Sequence, residues 1–320
     1  MKAPGEEESG RLDTLLVNTL ARERRLWRTP VLKNGCIQGS DISPAQYHEV
    51  SVWLREMSCT FQFSSETFAL GVCVLNSLLA AVKTQLKYLK CMAITSLILA
   101  AKVNEEDEVM APVKDLLEQS RCRFSTAEIL RMERVILNKL HWDLYIATPL
   151  DFIHIYHGLL MRRGGSQYRP VLQASLWTRQ AQHCMACHQL WQFKGSILAL
   201  AIITLELETL TPDWFSVFTH LLRKAQISSA EFICCKETVD EYLTALQLSS
   251  PRNPVFILDS SGMAVRRQHR RKRERAGHDI DDFYDGFWCL YREQPSIKTG
   301  RHDGQQQDMM SSCPPLLDGS

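Results

Sequence analysis

The 320-residue chain is 45% hydrophobic and 23% charged, the balance of a globular protein long enough for two ordinary domains and tails. Its net charge of +1 excludes a general pull toward nucleic acid or acidic lipid, so any such attraction has to be local. The longest uncharged runs, Cys91 to Ala101 and Ser196 to Leu205, are too short to span a bilayer. The acidic start, Met1 to Glu8, has no apolar core, so no secretory signal is expected. Eleven scattered cysteines, mostly inside apolar helical patterns, read as reduced thiols.

Up to about residue 248 nearly every segment carries helical period and almost none alternates, so the expected class is all-α. Leu12 to Trp27 reads as an amphipathic helix whose Arg22, Arg24, Arg25 and Arg28 suit its C-terminal dipole. A loop with Pro30 and Gly35 follows, to about residue 42. Ser43-Pro44 then starts a helix with Val50, Trp53, Leu54 and Met57 on one face. The next helix spans about 65–82. The helix over about 88–103 has no charge from Cys91 to Ala101 and is expected at the centre of its bundle. A short helix near 112–119 and one opened by Ser125 and Glu128 complete a set of five.

The fifth helix holds the most informative residue. Ile129, Met132, Ile136, Leu137 and Leu140 fall on one arc at about 100° per residue, with Glu133 in their midst. A carboxylate there is costly unless paired, which makes Glu133 a candidate interface residue. The plainer alternative is an intramolecular pair with Lys102, the first charge after the apolar run.

The pattern then restarts. Thr148-Pro149-Leu150-Asp151 repeats the cap-proline logic, and helices are expected at about 170–191, 193–209, 212–224 and 228–247, after one carrying Phe152, Ile155 and Leu159. The third of this set is again uncharged at its centre. The expected organisation is an N-terminal helix and loop (1–42), two five-helix units (43–145 and 146–248) and a tail (249–320) expected to be disordered.

The tandem units, with Ala100 to Glu106, Leu130-Arg131-Met132-Glu133 and Trp142-Asp143-Leu144, resemble the cyclin family over roughly residues 10–248. Finer text resembles the cyclin-I branch: Glu66 to Leu70, Ala147 to Phe152, His183 to Cys187, and Asp281 to Gly286. The resemblance implies that Lys102 and Glu133 hold a cyclin-dependent kinase beside an apolar groove of Leu99, Val103, Leu137, Trp142 and Leu144. It implies no catalysis and no cofactor. The implied role is to hold the kinase's regulatory helix in its active position. The branch suggests an atypical partner kinase active in non-dividing cells.

The chain departs from the family twice. Where cyclins usually pair an arginine with an aspartate, it has Tyr47 and Asn76, which suit a neutral hydrogen bond. Where many cyclins capture Arg-x-Leu peptides on an apolar patch, it has Gln46, Glu49, Val50, Trp53 and Glu56, a degraded version. Trp53 equally suits a packing role at its i, i+3 spacing.

The remaining signals are weaker. Cys184, Cys187 and His188 match a haem-attachment spelling, but the apolar helix around them favours core thiols and no metal. His154 and His157 suit structural roles. No phosphate loop, serine-hydrolase elbow or zinc-protease motif occurs. Arg266, Arg267, Arg270, Arg271, Lys272, Arg273 and Arg275 form a basic run read as a nuclear import signal, with residence in nucleus and cytoplasm, rather than as a nucleic-acid-binding element. The acidic-aromatic stretch from Asp279 to Tyr291 suits a tail-binding partner or docking back on the repeats. The first 50 residues hold no Arg-x-x-Leu destruction signal. The alternative reading is a nuclear adaptor that uses the same repeats without activating a kinase.

Overall fold

In the computed structural model the description covers residues 4–106, 110–163, 174–210 and 214–249. The basic run and the acidic-aromatic stretch lie outside these residues, as does nearly all of the expected tail. Helix α1 (Pro4–Leu26) precedes a two-residue antiparallel pair, β1 (Leu32–Lys33) with β2 (Cys36–Ile37). The first bundle comprises α2 (Pro44–Thr60), α3 (Ser65–Ala81), α4 (Leu86–Asn104), α5 (Val113–Ser120) and α6 (Thr126–Lys139). The second comprises α7 (Pro149–Arg163), α8 (Ala174–Met185), α9 (Gly195–Leu210), α10 (Trp214–Ala225) and α11 (Ser229–Ser249). The all-α, twice-five-helix architecture read from the sequence is the one observed.

Local chemistry sets the helix starts. Ser43 and Gln46 form a capping box at α2, Ser125 and Glu128 another at α6. Thr148 and Asp151 exchange the same pair of bonds at α7, at 2.7 and 3.3 Å. The two uncharged helices are the bundle centres. Every residue of α4 from Cys91 to Ala101 is buried, with α2, α3 and α6 packed around it. α9 holds the same place among α7, α8, α10 and α11. Gly71 lets α3 and α4 approach closely: a Cβ there would lie 3.2 Å from the Leu97 Cα.

Three expectations are corrected. The loop over 29–42 contains the β1–β2 hairpin, turned at Asn34 (φ 54°) and Gly35 (φ 77°). The helix expected to Trp191 stops at Met185, because the chain turns there to bury Leu190, Trp191 and Phe193. Trp191 stacks edge-on against Tyr47 of the first bundle, with ring centres 4.4 Å apart, and that contact outweighs continued helix. Cys187 and His188 therefore do not share a helix face with Cys184. Both thiols are buried, and burial pushes their ionisation upward, as core thiols require. The third correction concerns α1. It starts at Pro4, and its arginines do more than face its own dipole.

α1 packs against α7 and α10 and reaches the link between the bundles. Arg25 pairs with Asp143 at 3.2 Å, and the Arg22 guanidinium lies 3.8 Å above the Tyr145 ring. On the other side Asp13 pairs with Lys224, and Arg24 donates to Gln226 at 2.7 Å. Glu23 is the deepest contact, 1% exposed. Its carboxylate accepts from the Ser196 N–H at 2.8 Å and the Ser196 hydroxyl at 2.6 Å. Ser196 is the second residue of α9, so a carboxylate of α1 satisfies one of the free N–H groups at the start of the second central helix.

The seam also holds the Tyr47–Asn76 pair. The Tyr47 hydroxyl donates to Asn76 Oδ1 at 2.6 Å, and both residues are buried. The neutral pair expected from the sequence is thus formed. Asn76→Asp introduces a buried carboxylate with one neutral donor, so it should lower the melting temperature by a few degrees at pH 7 in a thermal scan, roughly 1–2 kcal/mol. A rise would overturn the neutral-swap account.

Candidate functional site

The Lys102–Glu133 site forms where the C-terminal turn of α4 meets the middle of α6. Lys102 Nζ donates to both carboxylate oxygens of Glu133, at 2.6 and 2.8 Å. The lysine side chain is 38% exposed and the glutamate 15%, so the pair is closed within the bundle yet open to water on one side. Glu133 is therefore not stranded without a partner, which corrects the first expectation.

The reason lies in the rotation of α6. Its buried face runs through Val135, Met132, Ile136 and Ile129. The buried arc is thus turned away from Leu137 and Leu140, both only half-buried. Glu133 falls on the shoulder between core and water, with Leu137 beside it and Leu130 beyond, 56% exposed. At the shoulder, an ion pair keeps part of its hydration and costs far less than it would in the core.

The residues read as the apolar groove divide by exposure. Val103 is 51% exposed and Trp142 69%. Leu99 and Leu144, read as groove residues, are buried at 3% and 8%; they are floor rather than surface. Trp142 follows α6 in an unusual turn: His141 and Trp142 have φ of 53° and 61°, and the Trp142 N–H reaches back to the Leu137 carbonyl at 2.8 Å. Two successive non-glycine residues in the left-handed region are costly, and here they hold a large indole out toward solvent. Leu130 was missed from the sequence because it lies outside the apolar arc. A leucine at that angle, beside Glu133, was the available signal.

At the base of the site Glu105 ties α4 to the start of α3. It accepts from the Ser64 N–H at 2.8 Å and from the Ser64 and Thr67 hydroxyls. Partial burial works against its charge, but these donors outweigh that and hold the carboxyl below its usual range. The two turns that carry Lys102 and the α3 cap are thereby locked together.

The docking patch does not assemble into an apolar surface. Gln46 spends its side-chain oxygen on the Ser43 N–H, at 2.9 Å, in the α2 cap. Val50 is buried, Trp53 is half-buried with the Lys90 ammonium 5.8 Å from its ring, and Glu49 and Glu56 face water. His154 pairs with Glu66 at 3.1 Å, and that partner raises its pKa. His157 packs edge-on to Trp177, with ring centres 5.8 Å apart. Both have structural surroundings.

Comparison with known proteins places this architecture. Residues 18–145 match the cyclin N-terminal domain. The chain belongs to the cyclin family. Within that family it is similar to human Cyclin-I2, 48% identical over 235 residues, which are 72% of the chain and 62% of that protein. It is also similar to human Cyclin-G2, 32% identical over 199 residues, 62% of the chain and 57% of the relative. The chain thus spans about three fifths of the length of these relatives. In fold it is similar to the X-ray structure of a viral cyclin from herpesvirus saimiri, with a TM-score of 0.56 and 17% identity, covering 72% of the chain and 99% of the viral one.

Proposed function

We propose that this protein is the non-catalytic regulatory subunit of a cyclin-dependent protein kinase, which it binds through the Lys102–Glu133 shoulder and holds in its active state. The observation that carries the reading is an ion pair left part-hydrated among exposed apolar side chains, Val103, Leu130 and Trp142. Single exposed hydrophobic residues are ordinary, but three on the end of α4, on α6 and in the turn after it suit the apolar face of a partner helix. Lys102 and Glu133 offer that helix charged groups for its polar edge. The mechanism is differential binding: a kinase helix gripped in its inward position shifts the kinase toward its active conformation. Recruitment of substrates by an Arg-x-Leu patch is not part of the proposal, since Gln46, Glu49 and Glu56 leave no apolar surface there. The branch resemblance extends the proposal to an atypical, postmitotic-type kinase. The basic run from Arg266 to Arg275 extends it to residence in the nucleus as well as the cytoplasm.

The test is co-elution and histone-type phosphorylation with a panel of purified cyclin-dependent kinases, beside a Lys102→Glu, Glu133→Ala double mutant. At least one kinase is expected to co-elute with the native chain and to lose at least about tenfold in affinity for the mutant. Equal capture by both chains would move the reading to the kinase-independent adaptor.

A further inference from the structure

The geometry points to a binding site for a phosphate-bearing ligand in the cleft between α1, α3 and the end of α6, a site separate from the kinase-facing rim and independent of that reading. The cleft measures about 320 Å³ and is walled by Arg25, Arg28, Ser77, Lys139, His141 and Asp143, over a floor that includes Leu26, Ala80 and Ile146. Behind it a void of about 10 Å³ shares Arg28, Ser77 and Ile146 with the cleft and adds Trp27, Cys73 and Asn76.

What selects the ligand is the character of the groups left without partners. The Trp27 indole N–H and the Ser77 hydroxyl are both buried and make no hydrogen bond among the described residues; Ser77 is 3% exposed. Buried polar groups in folded proteins are usually paired, and Trp27 and Ser77 both line the small void, where one bound group can reach both residues. The void has room for about one water, which can join the two donors to something larger in the cleft. The charged groups point the same way. Lys139 has no side-chain partner among the described residues, and Arg28 spends one N–H on the Trp27 carbonyl at 3.0 Å and keeps the rest. Arg25 is held by Asp143, the one acid among the described residues of the wall.

Part of this positive charge offsets the carbonyl ends of α1, α3 and α6, all of which terminate here. Those ends supply acceptors, however, and none of them meets the Trp27 N–H or the Ser77 hydroxyl. The unmet groups are thus one donor, one hydroxyl that can donate or accept, and a surplus of cations, which a ligand with acceptor oxygens and negative charge matches. A phosphate monoester does so with three oxygens on one centre. The apolar floor suits an organic stem behind it. His141 and Asp143, the neighbours of exposed Trp142, both wall the cleft, so its occupant touches the segment that presents that indole.

The experiment is a titration of the full chain with phenyl phosphate, and separately with inorganic phosphate, observed through the ¹⁵N–¹H signals of the tryptophan indoles. Trp27→Phe assigns the relevant peak. The expected result is a saturable shift of the Trp27 signal that weakens at least about tenfold in an Arg28→Ala, Lys139→Ala double mutant. Circular dichroism of that mutant checks that its helices remain. Tighter binding of phenyl phosphate supports an organic phosphomonoester, and equal binding supports the free ion; both uphold the site. A Trp27 signal that does not move, or moves equally in native and mutant chains (an adventitious ion only), overturns it.

Discussion

Glu23→Ala is expected to be among the most destabilising single changes on the molecule. The substitution leaves the Ser196 N–H and hydroxyl buried without an acceptor, and each such orphan costs about 1–3 kcal/mol. Removing the carboxylate also takes away the deepest link between α1 and the second bundle. A total of about 2–4 kcal/mol corresponds to roughly 5–15 °C in melting temperature for a folded region of this size. Glu23→Gln retains an acceptor oxygen and should recover most of the loss.

The two replacements also differ in pH response. Burial raises the Glu23 carboxyl above its ordinary value, and the Ser196 hydrogen bonds only partly oppose it. The folded state therefore holds this proton more tightly than the unfolded chain does. The stability this confers is complete below the unfolded pKa, about 4.3, and is lost as pH rises through the higher folded value. Native stability relative to Glu23→Gln should thus decline from acid toward neutral pH and then level off. Thermal melts at intervals between pH 4 and 8 measure it. A Glu23→Ala chain melting within 2 °C of native would show that Glu23 is not the clamp that its geometry describes.

The largest functional effect is expected from exchanging the charges of the rim, Lys102→Glu with Glu133→Lys. The exchange preserves attraction between the side chains, and a partly exposed pair contributes only about 1 kcal/mol, so the melting temperature should move by no more than about 3 °C. The polarity shown to a partner is reversed. Like charges brought together across an interface cost several kcal/mol, so capture of any kinase that binds the native chain should fall about 100-fold or more. Stability retained and binding lost separates an outward-facing pair from a purely structural one. Binding retained would assign Lys102 and Glu133 to the fold alone.

How far the sequence reached can be judged from particular residues. The uncharged interiors of α4 and α9 marked the two bundle centres, because a helix apolar all round has nowhere to lie but the middle. Ser43, Ser125 and Thr148 marked helix starts, because capping is chemistry between residues three apart. Tyr47 and Asn76 formed the neutral pair that their family positions suggested. Helical period also brought Lys102 and Glu133 to attention.

Tertiary structure decided the rest. Whether Glu133 lay in the core or at its shoulder depended on how far α6 is rotated about its axis, and Val135 on the far flank sets that rotation, a neighbour effect invisible in a single helical arc. The break at Met185 came from Trp191 meeting Tyr47 more than 140 residues earlier in the chain. Glu23 reaching Ser196, and Ser77 lining both the cleft with Lys139 and the small void with Trp27, likewise join residues far apart in sequence. Spacing along the chain determines what a helix is and which stripe is greasy, since those depend on near neighbours. Which charged or polar groups end up facing one another is decided only when helices take their places, since that depends on groups the local chain never meets.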